Sequence, residues 1–198
     1  MRISPQYSVS DWKGLDFSKE QGWQRAADIF EDRIKGRFLE IIERIDGLVH
    51  AGFVVLALDC LLIETLQQFR EGEPETPPRM NEEYFIRFLT GTRFARFFDE
   101  PKAKKFYDHI RCGVLHQSEV KGDSLVVISS AEPVVRWTES GDGLIVNRRL
   151  FHHELVRCFQ DYVVELRDPA NADVRARFKW KMDHICRVNA SAARAGPS

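Results

Sequence analysis

An arginine and a histidine five positions apart, Arg111 and His116, lie within the run FYDHIRCGVLHQSEV at residues 106–120. Arginine offers a permanently charged, forked donor to phosphate oxygens. Histidine gives or takes a proton near neutral pH. Together, and without a metal, they suffice for RNA cleavage in which a ribose 2′-hydroxyl attacks its neighbouring phosphate. Geometry sets a condition. In an ideal α-helix, positions five apart differ by roughly 140° around the axis and ~7.5 Å along it, so they share no face. The chemistry therefore needs a departure from the ideal helix, for which Gly113 is a source, or two copies meeting across a dimer axis. The same residues also read as a plain helix end, with Arg111 capping carbonyls and His116 facing water.

A second set of polar residues sits in the most apolar stretch, residues 48–66, which carries His50, Asp59, Cys60 and Glu64. Two carboxylates are costly in a membrane span, so this stretch reads as a core helix. Projected at about 100° per residue, Cys60, Glu64, Gln67, Gln68 and Glu71 fall on one mostly polar arc. Asp59 falls instead among Val55, Leu62, Ile63 and Leu66. An unpaired carboxylate there would cost on the order of several kcal/mol, so Asp59 needs a partner. Arg111 or a histidine would serve, and a salt bridge to another arginine is the competing assignment.

The 198 residues carry 29 Lys and Arg against 30 Asp and Glu, a formal net charge of -1. Such a balance excludes whole-molecule attraction to nucleic acid and leaves only local basic patches. Arg87, Arg93 and Arg96 interleave with Phe88, Phe94, Phe97 and Phe98, and Lys102, Lys104 and Lys105 follow. Arg148 and Arg149 open a later helix. RARFKWK places Arg175, Arg177, Lys179 and Lys181 beside Phe178 and Trp180. Each reads as a solvated helix face or as an RNA-backbone contact, with the last helix the densest. The histidines and the four scattered cysteines, Cys60, Cys112, Cys158 and Cys186, have no zinc spacing, and no phosphate-binding or nucleophile-elbow motif occurs. No cofactor or metal is expected. Scattered cysteines without a C-x-x-C pair and an N-terminus without an apolar core predict a cytoplasmic protein with no membrane association.

The elements that must position these residues follow from periodicity and punctuation. Residues 1–18 read as an irregular arm. Helical spacing starts after Ser18, an expected N-cap, with a bend near Gly36, and Gly47 separates it from a second helix over about 48–70. Three prolines make 71–81 a loop. Asn81 is an expected N-cap for a third helix over about 82–89, and a fourth, about 101–115, contains Arg111. Residues 124–147, rich in Val and Ile, read as a small antiparallel β-hairpin inserted before a fifth helix that starts at Asn147. A last helix follows, with Asp168 as expected N-cap and Pro169 in its first turn, and 189–198 read as a flexible tail. The expectation is one mostly α domain over 1–198.

A helical bundle with IRCGVLHQ late in its fourth helix resembles the HEPN superfamily, whose hallmark is Arg, four to six residues, then His near a helix end. The resemblance covers about residues 19–190. It implies a HEPN-like bundle and a metal-independent endoribonuclease of the toxin–antitoxin or antiviral defence kind. Such proteins act as homodimers, with a possible antitoxin or defence-system partner. It also implies roles for individual residues. Arg111 would polarise the scissile phosphate and His116 would act as general base or acid. An acidic residue of an earlier helix, Asp59 first and Glu64 second, would orient the pair. Arg148, Arg149, Arg177, Lys179 and Lys181 would hold the RNA. Cys112 stands where many active members carry Asn or Asp. The alternative reading is a non-catalytic RNA-binding, nucleotide-binding or protein-interaction module of the same fold.

Overall fold

The computed structural model describes residues 1–188, so the expected tail at 189–198 lies outside the described residues. The chain groups into two compact units, where the sequence reads as one domain. One contains Met1–Ile41, Gln68–Glu75 and, of the described residues, 161–188. The other contains Ile42–Gln67 and Thr76–Gln160.

In the first unit, the arm expected to be irregular contains a short helix α1, Val9–Lys13, fixed by a reciprocal cap between Ser8 and Asp11. Helix α2, Glu20–Ile34, begins two residues after Ser18. Ser18 does not cap it, because its hydroxyl donates to Asp16 Oδ1 at 2.6 Å instead. The bend expected near Gly36 is a π-helical segment, Lys35–Leu39, followed by α3, Glu40–Ile45. Pro5 packs against Gly36 so closely that any side chain there would collide with its ring. Helix α9, Ala172–Ile185, starts after Asn171, and Asp168 accepts from the Ala170 N–H in the preceding turn, not as its cap. The core of this unit is aromatic, with Phe30 against Phe69 at 4.7 Å, Phe178 at 5.4 Å and Tyr162 at 5.7 Å between ring centroids.

The second unit holds the residues of interest. Helix α4, Gly52–Glu71, leads into a proline-rich loop and α5, Asn81–Gly91. After a short 3-10 turn, Arg93–Arg96, Asp99 caps α6, Glu100–Lys105, by accepting from the Lys102 N–H. The helix then widens into a π-helical segment, Phe106–Cys112, and closes as α7, Gly113–Gln117. Helix α8, Arg148–Arg167, starts in this unit. Phe106 stacks on Phe151 at 4.9 Å, and Phe94 and Phe98 complete that core.

The β insertion differs from a simple hairpin. Strands β1 (Leu125–Val127), β2 (Val135–Trp137) and β3 (Leu144–Asn147) form one sheet in the order β1-β3-β2. The β2–β3 pair is antiparallel as expected, with Val135 opposite Val146, but β1 joins β3 in parallel, Leu125 opposite Ile145. Side-chain alternation does not encode strand direction. Here the connection after β1 is held by the buried Asn147, whose amide donates to the carbonyls of Ser129 and Glu132.

Helix α4 has the length and hydropathy (mean 1.5) of a membrane span, but half of it is buried inside the protein. Its packing is that of a core helix. No disulfide joins the four cysteines, of which Cys112 alone is half-exposed.

Candidate functional site

Residues five apart do come together here. Arg111 Nη1 lies 3.3 Å from His116 Nε2. The cause is local. A π-helix bonds i to i+5, so the segment ending at Cys112 is wound more loosely than an α-helix, a feature frequent at functional sites. The winding is thus relaxed. Gly113 has a second role beyond weakening the helix. A side chain there would run into the Glu119 carbonyl and lie 3.2 Å from the Val120 Cα. Its absence lets residues 118–121 fold back over the helix, after Ser118 takes a left-handed conformation (φ 55°) that ends α7.

Arginine has no acceptor, so Nη1 donates and His116 Nε2 carries the lone pair, which leaves the ring proton on Nδ1. On its other side, Arg111 Nη2 donates to Glu64 Oε2 at 3.4 Å. Glu64 is itself held, since its Oε1 accepts from Thr76 Oγ1 and from Asn81 Nδ2, both at 2.9 Å. Asn81, expected to cap α5, is instead its first residue and serves as a clamp on this carboxylate. The guanidinium also lies near the rings of Tyr107, at 5.3 Å, and Phe85, at 5.9 Å. Burial works against its charge, but Tyr107, Cys112 and Glu64 outweigh that and raise its pKa above the ordinary guanidinium value. Burial likewise pushes the Tyr107 phenol up, against the pull of Arg111. The result is a fixed cation, side chain 13% exposed, beside a more accessible imidazole.

Asp59 is elsewhere. It is fully buried and accepts from His152 Nδ1 at 2.7 Å. Its partner is a histidine as required, but one of α8 and not Arg111. Burial raises the Asp59 pKa, opposed by His152 and Arg148, and its second oxygen has no hydrogen-bond partner among the described residues.

The expected RNA-binding residues are divided. Arg148 is buried, with its guanidinium on the Asp46 side chain and carbonyl, whereas Arg149 is exposed and donates to Asp46 at 3.1 Å. In the other unit, Lys181 is buried on Gln68 and the Pro74 carbonyl, and Lys179 bonds Asp183 at 2.5 Å. Arg177 is exposed. Lys181 and Arg148 therefore serve the fold, and an RNA strand would not reach their bonded donors.

Asn81, Thr76, Tyr107 and Phe85 were not legible as site residues. Only Tyr107, four residues before Arg111, carries a sequence signal, the i,i+4 spacing of a shared helix face. Among the described residues, no three His, Cys, Asp or Glu side chains gather as a metal would require. Comparison of the chain with protein-family models, curated proteins and solved structures finds no match in any of the three.

Proposed function

We propose that this protein is a metal-independent endoribonuclease of HEPN type, acting in the cytoplasm as a homodimer, in the manner of a toxin or antiviral defence effector. The observation that carries the reading is the Arg111–His116 contact of 3.3 Å with Glu64 behind the arginine. An RNA phosphate arriving at Arg111 competes with His116 for the Nη1 donor. Once Nη1 turns to a phosphate oxygen, the Nε2 lone pair is released and accepts the 2′-hydroxyl proton. The 2′-oxygen then bonds to phosphorus, the 5′-oxygen leaves and is protonated from solvent, and a 2′,3′-cyclic phosphate remains. Arg111 neutralises charge on the phosphate throughout.

Purified protein is expected to cleave RNA in EDTA and leave cyclic phosphate ends. Arg111→Ala and His116→Ala should each lower the rate by about 10²–10⁴-fold, the usual scale for losing such a group. Undiminished cleavage by either variant overturns the site.

A second reading, an RNA- or nucleotide-binding module without cleavage, is favoured by Cys112, which replaces a hydrogen-bonding residue directly after the arginine. RNA binding with no cyclic phosphate product, in wild type and variants alike, would select it.

A further inference from the structure

One basic cluster lies apart from the Arg111 site: Arg93 and Arg96, read above as a solvated face or an RNA contact, meet Arg157 at a buried acid. Glu154 of α8 is buried, and three arginines converge on its carboxylate. Arg96 Nη2 donates to Oε2 at 2.8 Å, Arg157 Nη1 donates to Oε1 at 2.9 Å, and Arg93 Nε lies 3.8 Å from Oε2. Their side chains are 36% (Arg93), 48% (Arg96) and 55% (Arg157) exposed. The 3-10 turn supplies Arg93 and Arg96, and α8 supplies Arg157. Along α8, Arg149 and His153 precede Arg157 at intervals of four, so all three follow one exposed stripe about 12 Å long.

A single carboxylate is satisfied by one forked guanidinium. Arg96 and Arg157 share this one carboxylate, and their half-exposed guanidiniums leave a local excess of positive charge that an arriving anion can neutralise. The carboxylate fixes where the guanidiniums sit, and each side chain keeps part of its surface in reach of solvent. The aromatic ring of Phe97, 5.1 Å from Arg96, adds a surface on which a base can stack.

We propose that Arg93, Arg96 and Arg157, organised by Glu154 and continued by His153 and Arg149, form a surface for the phosphate backbone of single-stranded RNA. The choice of RNA over other phosphate polymers or lipid headgroups rests on the nuclease reading above. This surface takes the place of the buried Arg148 and Lys181.

The test is fluorescence anisotropy of the full chain with a labelled single-stranded RNA, across a range of salt, for wild type and for Arg96→Gln/Arg157→Gln. With two phosphate-binding charges removed, the slope of log K against log salt should fall in magnitude by about 1.4, roughly 0.7 per phosphate. Arg96→Lys/Arg157→Lys should recover most of that slope, which separates charge from packing. An unchanged slope and affinity in the Gln variant overturns the proposal. So does loss of binding to vesicles of anionic phospholipid while RNA binding is retained. If the slope falls yet no RNA is ever cleaved, the surface stands and the nuclease reading alone fails.

Discussion

Helix α4 presents two carboxylates five residues apart, and they live in opposite environments. Asp59 is wholly enclosed and meets His152; Glu64 sits at a half-open edge and meets Arg111. Both are acid–base pairs by residue type, but their surroundings separate their roles. At Asp59, the desolvation of the carboxylate dominates and raises its pKa. Such a pair fixes α8 against α4 and has no access to a substrate. At Glu64, three donors hold the carboxylate and the arginine it steers borders an accessible histidine. An acid on the apolar side of a helix is conspicuous in a sequence because burial makes it expensive, and that same burial removes it from chemistry.

The difference can be broken, largest effect first. Asp59→Ala leaves His152 buried without its acceptor and should cost about 3–5 kcal/mol. In a chain of this size that lowers Tm by about 10 °C in a thermal melt. Combined with His152→Ala, the loss should be less than additive, because the two side chains share one interaction. If RNA cleavage fell while Tm held, Asp59 would belong to the site after all.

Gly113→Ala forces the 118–121 loop off the helix and should cost about 1–3 kcal/mol. It should also separate Arg111 from His116 and slow cleavage at temperatures where the protein is folded. Unaltered stability and rate would show that the close approach has no consequence.

Glu64→Gln keeps an acceptor for Thr76 and Asn81 but turns an amide toward Arg111. Stability should change by about 1 kcal/mol or less, while cleavage should fall about tenfold through a misdirected guanidinium. Equal losses at Glu64 and Asp59 in both assays would erase the distinction between the two pairs.

The smallest effect is on pH dependence. The folded-state pKa of Asp59 is raised above the ordinary carboxylate value of 3.8. The folded state therefore binds the proton more tightly than the unfolded one. The contribution is fully present below 3.8 and is lost as pH rises through the raised value. Asp59→Asn retains an acceptor for His152 and should flatten that fall in urea-melt stability measured upward from about pH 4. A Glu64→Gln control should leave it in place.

Much of the helical order was legible, because apolar periodicity and the proline- and glycine-rich breaks are local signals. The loop at 71–81, Pro101 in the first turn of α6 and the helical setting of Arg111 follow from them. Cap assignments at Ser18, Asn81 and Asp168 fared worse. Each side chain found a nearer or stronger partner: Asp16 for Ser18, Glu64 for Asn81 and the Ala170 amide for Asp168. Charge density was a poor guide to exposed charge, since Lys181 and Arg148 look like any other basic surface residue until their partners are known.

The sequence by itself determined that an arginine and a histidine lie five positions apart near one helix end, and that Asp59 must have a partner. The first follows from local periodicity and the second from the cost of burial. Only the tertiary structure decided that these two side chains meet, through a relaxed helical turn and a loop crossing Gly113. It alone decided that Glu64, not Asp59, stands behind the arginine, because which carboxylate reaches which cation depends on packing between elements far apart in the chain.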